Sequence, residues 1–397
     1  MEQQQSKFTR FKSKEEWVDT RLPVLLLYLY RRFVSNRDAF IGWCEVAKQL
    51  NNSKVAIGGN APVMAKRFAL EGWSVLLGSV MKESTARMMP RGVHVVRNVS
   101  ESTQEDTHLI LEYSLGDKWG PFVSPRANRY IIHSDYSNML LESLAPFSSL
   151  LKSFDPSLVV VSGLQMLDNF PYEHKIRTRK LQQLSELLRA LPRATKIHFE
   201  MASITEERLM KELMDYVLPY ADSLGMNEQE LANLCSYLEH GNVTLVSDPY
   251  PRVAKTLDQI RVLYDFMHIE KRSHPHHRPL TRVHVHTLAY QAILISKHSN
   301  WRNIHGAVAK ASLTAHRHVC ASNEINTKRA RLVMDDSFSV SRKPGSHRMP
   351  LVDSAPIMCW GEEHGRICVA PNLVCTHVIQ TAGGGDNISA AGLVLQL

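Results

Sequence analysis

Apolar and polar positions along this chain follow two different periods, and the switches between them mark its elements. From Lys14 to Leu50, long apolar stretches punctuated by Arg31-Arg32 and Asn36-Arg-Asp38 predict helix. Asn51-Asn-Ser53 predicts a turn, and Lys54-Val-Ala-Ile57 a short strand ending at Gly58-Gly59. A helix follows, with Val63, Phe68 and Leu70 among its apolar positions. Trp73-Ser-Val-Leu-Leu77 is a second strand closed by Gly78. Strand, glycine, helix and strand is the rhythm of a parallel α/β sheet. Between residues 95 and 135 the character changes. His94-Val-Val-Arg97, Thr107-His-Leu-Ile-Leu-Glu-Tyr113 and Arg129-Tyr-Ile-Ile-His133 are strand-like runs with no helical stretch among them, which predicts a small antiparallel insert.

The α/β rhythm then resumes. Ser157-Leu-Val-Val-Val-Ser162 is β-branched and uncharged, as a strand buried on both faces must be. Helices are predicted over Arg177 to Leu191 and Glu206 to Tyr220, with the strand Thr195-Lys-Ile-His-Phe-Glu200 between them. Ala221-Asp-Ser-Leu-Gly-Met226 leads into a helix at Glu228, and Arg282-Val-His-Val-His286 is a further strand. Ser341 to Pro350 reads as a surface loop. Leu373-Val-Cys375 is a strand, and Thr381 to Asn387 opens an Ala-rich helix.

Composition narrows the classes. With 397 residues, 44% hydrophobic and 22% charged, the chain is neither disordered nor fibrous. Its 47 Lys+Arg against 39 Asp+Glu leave +8, a balance suited to anionic ligands. The basic residues are dispersed and not interleaved with aromatics, which argues against nucleic acid as a partner. The six cysteines include no CxxC, so neither a zinc ribbon nor a dense disulfide framework is expected. The apolar run Leu22–Tyr30 has about half the ~20 residues a bilayer crossing needs, so no membrane insertion is expected. The residues around it do not resemble a signal peptide, so the chain as given reads as cytoplasmic.

The sharpest chemical signal is Gly383-Gly384-Gly385-Asp386 at the mouth of the last helix. Glycines let backbone N–H groups turn towards an anion, and a helix N-terminus adds about half a positive charge. Asp386 either caps that helix or serves there as a general base beside an anion hole. His198 and Glu200 share one face of their strand at its C-terminal end, where open α/β sheets bind ligands; a solvated sheet edge is the plainer reading. Asn227 and Glu230 have the spacing of a capping box, and the same acids could order water around Mg²⁺. Gly58-Gly59-Asn60-Ala61 is either a tight turn or a close approach to sugar or phosphate. His274, His276 and His277 lie in a basic loop interrupted by Pro275, a poor metal site; His286, ending a strand, is a better ligand contact.

Taken in order, Ile57-Gly-Gly-Asn-Ala61, Leu109-Ile-Leu-Glu-Tyr113, Ala127-Asn-Arg129, Val161-Ser-Gly-Leu164, His198-Phe-Glu200, Ser223 to Leu231, Arg282 to Leu288 and Gly383-Gly-Gly-Asp386 resemble the ADP-dependent glucokinase family in its animal form. The resemblance implies a ribokinase-like fold: a three-layer α/β/α large domain over 51–94 and 136–397, with a small β-rich lid region over 1–50 and 95–135. It implies transfer of the β-phosphate of ADP to the 6-hydroxyl of glucose, with Asp386 as base and Gly383, Gly384 and Gly385 as anion hole. It places Gly59, Asn60, Glu112 and His198 on the sugar side, and Asn227 and His286 by the nucleotide. Glu200 and Glu230 then order Mg²⁺ through water. The position of Gly384 usually carries a larger apolar residue, a change expected to be tolerable. Cys320 and Cys375 match family cysteines and could pair.

Family members begin the core with a strand carrying an Asn-x-x-x-Asp-like element, and nothing before Lys54 resembles it. The first core strand is therefore expected to be missing, with one sugar anchor. Three alternatives remain open. One is an N-terminally truncated, non-catalytic sugar- or nucleotide-binding member. Another is a ribokinase-like kinase with a different donor or sugar; the acidic Glu112 favours a neutral sugar over a phosphosugar. The last concerns location: the animal family suggests the endoplasmic reticulum or secretion. The chain is expected to act as a monomer on glucose and ADP.

Overall fold

The uncharged run Leu158–Val161 ends the main sheet, and strands that carry charged or polar residues, Lys196–Glu200 and Arg282–His286, lie inside it. The computed structural model describes residues 30–99, 105–114, 116–124, 128–244, 248, 250–274, 276–297, 299–363 and 365–397. Ala127, Pro275 and the predicted helix before Tyr30 lie outside them. Two compact units are present: residues 1–55 with 106–135, and residues 56–105 with 136–397.

The larger unit is built on a seven-stranded sheet. Leu158–Val161, Lys196–Glu200, Ser223–Asn227 and Arg282–His286 run parallel in that order. Tyr290–Ser296, Gly365–Pro371 and Met358–Gly361 continue it antiparallel. The Gly384–Val394 helix lies over the centre, with Gly392 against Arg282 and His284. Alternation turns Val283 and Val285 to the opposite face, where Glu228–His240 and Val253–Ser273 pack on the same strands. The result is helix, sheet and helix in three layers.

The sheet ends at Leu158–Val161, while Val75–Lys82 and Val93–Val99 form a separate parallel pair. Leu158, Val160 and Val75 nevertheless pack on one cluster of Met64, Phe68, Trp301, Ala390 and Leu393. Among the described residues no strand lies between those two edges.

Six local expectations are corrected. Lys54–Ile57 forms no strand, and Gly78 lies within the strand Val75–Lys82 rather than closing it. Tyr30–Phe33 is a strand, not helix: it pairs parallel with Asn128–His133, a partner nearly a hundred residues away that no local period could reveal. His94-Val-Val-Arg97 pairs with Val75–Lys82 in the larger unit rather than joining the antiparallel insert. The helix predicted to Tyr220 stops at Tyr216, and Pro219 sits in a separate 3₁₀ turn, since proline cannot donate to a continuing helix. The Ser341–Pro350 loop ends in a strand, Arg348–Pro350, against Ser337–Ser339.

In the smaller unit Asn128–His133 is flanked by Tyr30–Phe33 and, antiparallel, by His108–Tyr113. Phe40, from the Arg37–Lys48 helix, packs with Tyr130 and Ile132 to make its core. Asn36 caps that helix by accepting from the Ala39 N–H at 3.0 Å.

Cys320 and Cys375 are disulfide-bonded, with Cα atoms 5.7 Å apart. A second bridge, Cys359–Cys368, joins facing residues of neighbouring strands and was not foreseen. The Cys320–Cys375 bridge closes a loop of 55 residues, which in the chain-entropy account stabilises by about 4 kcal/mol. Thiol titration of the denatured, unreduced chain should find two free thiols, Cys44 and Cys235, and reduction should expose all six. Finding six before reduction would remove both bridges.

Candidate functional site

The first turns of two helices meet in the larger unit. Asn60 opens the helix Asn60–Leu70 after Gly59, and Asp386 stands in the first turn of Gly384–Val394. Asn60 Nδ2 donates to Asp386 Oδ1 at 2.8 Å, and Gln165 Nε2 in turn donates to Asn60 Oδ1. Asp386 is not the helix cap. That position belongs to Gly383, which adopts φ 73°, and no side chain caps this end. The carboxylate therefore sits, 9% exposed, near the positive ends of two helix dipoles with the cap role taken by another residue. His318 Nε2 donates to the Ala382 carbonyl at 2.9 Å and steadies the turn that delivers the glycines. A Cβ at Gly384 would lie 3.6 Å from the His318 ring, an ordinary contact, so a larger residue fits there.

Beneath that helix lies a buried polar cluster centred on Glu200. His198 Nε2 approaches Glu200 Oε2 at 3.0 Å. His286 Nε2 and Ser389 Oγ approach Oε1 at 3.2 and 2.9 Å. Burial alone would raise the Glu200 carboxyl, but the hydrogen bonds and charge of His198 and His286 outweigh it and bring it to about 2. The same carboxylate, with Glu230 and Glu228, lifts His286 against its own burial. Burial lowers His198. Arg282, fully buried, falls to about 9 through desolvation, with only Glu200 acting against it. Its Nε donates to Gln396 at 2.6 Å and its Nη1 to Ser223 at 3.1 Å.

Two glycines permit this packing. A Cβ on Gly225 would stand 2.1 Å from Glu200 Oε2, and one on Gly385 would stand 2.7 Å from His286 Cε1. Both lie below any normal Cβ contact, so backbone must occupy these places alone.

Asn227 and Glu230 form the expected capping box. Asn227 Oδ1 accepts from the Gln229 and Glu230 N–H groups, and Glu230 Oε2 accepts from Asn227 N–H at 2.8 Å. Burial pushes the Glu230 carboxyl up to about 7, with Glu200 and Glu228 adding to the rise and His286 opposing it.

Asp386, Gly383 to Gly385, Asn60, His198, Glu200 and His286 are thus brought together by direct contacts. His198 has no exposed surface, and its Nδ1 meets Ser223 Oγ at 2.8 Å while its Nε2 meets Glu200. Glu112 lies in the smaller unit, exposed, across the ladder from Arg129. His274 and His277 stack on each other and gather no carboxylate into a metal-binding group among the described residues.

The model of the ADP-specific phosphofructokinase/glucokinase conserved region matches residues 30–395. The chain belongs to that family. A Bos taurus ADP-dependent glucokinase is 33% identical to it over 91% of this chain and 72% of that protein. A Caenorhabditis elegans protein described as "Probable ADP-dependent glucokinase" is 28% identical, over 91% and 73%. An ADP-dependent kinase solved in complex with fructose-6-phosphate and ADPβS shares the fold, with a TM-score of 0.64, 17% identity, and coverage of 94% of this chain and 86% of that one.

Within this family frame, sequence reading missed Gln165, Ser223, Gly225, Arg282 and Ser389. Ser389 carried a signal: three residues after Asp386, it shares that face of the helix. Gly225 and Arg282 carried none, because only strand register sets Gly225 against Glu200 and Arg282 against Ser223.

Proposed function

We propose that this family member transfers the β-phosphate of ADP to the 6-hydroxyl of glucose, giving glucose 6-phosphate and AMP. The observation that carries the reading is the placement of Asp386. It is a buried carboxylate at a glycine-lined helix mouth, with its cap role taken by Gly383 and one oxygen oriented by Asn60. Asp386 takes the proton of the attacking hydroxyl. The N–H groups of the Gly383 to Gly385 turn face the migrating phosphoryl group, where the helix dipole favours its charge. Gly59 and Asn60 line the sugar side. His198 and His286 act through Glu200, and Asn227 through the cap it makes.

The donor set fits Mg²⁺. Glu200 and Glu230 are two buried carboxylates, and the charge of Glu200 helps to raise the Glu230 carboxyl; Mg²⁺ favours one or two carboxylates with water and phosphate oxygens. Both Glu200 oxygens are engaged by protein donors, so the ion would be held through its water. It would supply charge neutralisation of the diphosphate. Glu230 must lose its proton to take part, and His286 favours that loss.

No helix among the described residues is long and apolar enough to cross a membrane. The two disulfides favour an oxidising compartment, such as the endoplasmic reticulum, over the cytoplasm.

A donor and acceptor panel tests the function. With Mg²⁺, the purified chain should phosphorylate glucose from ADP, and much more slowly from ATP or onto fructose 6-phosphate. Thermal stabilisation by ADP without turnover on any acceptor would instead make it a binding protein.

A further inference from the structure

The smaller unit contains a second group of ligating side chains, apart from the residues given catalytic roles. His108 opens one strand and His133 ends its neighbour, and the antiparallel register sets them directly opposite each other. Asp135 follows two residues later, with its carboxylate fully buried. His108 Nε2 lies 2.9 Å from Asp135 Oδ2, and His133 Nδ1 lies 3.5 Å from Asp135 Oδ1. One ligating atom from each of the three lies within 4.8 Å of the others, and no further such group exists among the described residues.

These separations have a chemical meaning. An ion with metal–ligand bonds of about 2.0–2.1 Å in tetrahedral geometry keeps its ligands about 3.3 Å apart. The separations from the two rings to the two Asp135 oxygens, 2.9 and 3.5 Å, lie on either side of that value. Two imidazoles with one carboxylate suit zinc and its neighbours, whereas Mg²⁺ and Ca²⁺ take all-oxygen sets. Three protein ligands leave a fourth position for water. The His108 side chain is 24% exposed against 4% for His133, which leaves a way in from solvent. The support is rigid: Ser134 Oγ donates to the Val34 carbonyl at 2.8 Å, and Phe33 meets the His133 ring edge-on.

We propose that His108, His133 and Asp135 bind one Zn²⁺-class divalent ion in the smaller unit. This site is separate from any Mg²⁺ that serves the phosphoryl donor.

The test uses the full chain, stripped with chelator, desalted, and titrated with Zn²⁺ in excess Mg²⁺. One zinc per chain should survive gel filtration, and the unfolding midpoint should rise by several degrees. Co²⁺ in its place should give the visible absorption of a tetrahedral site. His108→Gln can still donate to Asp135 but lacks the ligand, so it should lose at least tenfold in Zn²⁺ affinity while its metal-free midpoint matches wild type. His133→Gln is the second variant, should the first misfold, and should lose the ion as well. If wild type retains no zinc, or if retention survives both substitutions, the ion belongs elsewhere, such as the His274–His277 loop, and the proposal fails.

Discussion

Asp386→Asn should lower kcat by about 10²- to 10⁴-fold, the usual range for loss of a general base, while ADP affinity changes little. The substitution keeps shape, and Asn60 Nδ2 can still donate to the amide oxygen that replaces Oδ1, so the junction of the two helices survives. Because the cap position is Gly383, the helix loses no capping bond either. A matched unfolding midpoint with collapsed turnover is the expected pair of results, read from steady-state kinetics and thermal denaturation. Retention of most of the activity would place the base elsewhere and leave Asp386 a structural acid.

Gly225→Ala should disrupt the Glu200 cluster and lower stability together. The new carbon would lie 2.1 Å from Glu200 Oε2 and 2.9 Å from His198 Cε1. The carboxylate cannot slide aside, since its other oxygen is held by Ser389 and His286. Overpacking of this kind costs about 1–3 kcal/mol. Displacing Glu200 also frees two buried histidines from their shared acceptor. We expect a lower unfolding midpoint together with a weakened apparent Mg²⁺ affinity in the kinase assay. The second readout separates loss of Glu200 from general damage: Gly392→Ala, whose Cβ would meet His284 at 3.3 Å on the same helix–sheet interface, should lower stability without the Mg²⁺ effect. Equal Mg²⁺ dependence in both variants would detach Glu200 from the metal.

Most of the larger unit could be read from the chain because its signals are local. The Asn227–Glu230 capping spacing and the Gly383–Asp386 turn each act over three or four residues, and each stands in the structure as an element boundary; Gly78, by contrast, lies within Val75–Lys82, and Lys54–Ile57 forms no strand. The Arg282–His286 strand shows where local reading stops. Its alternating Arg, His and His look like a solvent face, yet all five residues are buried, because the Gly384–Val394 helix covers them. The surroundings of His198 show the same limit. A polar side chain at a strand end reads as available until Ser223 and Glu200 are found occupying its ring.

Backbone preferences and hydrophobic period act between near neighbours, so the order of most elements and the helix mouth that carries Asp386 were already written in the linear chain. Register, burial and charge environment arise from the sum of many distant contacts. That is why the strand at Tyr30–Phe33, the clasp of Glu200 by two histidines, and the meeting of His108, His133 and Asp135 emerged only when the strands were set side by side.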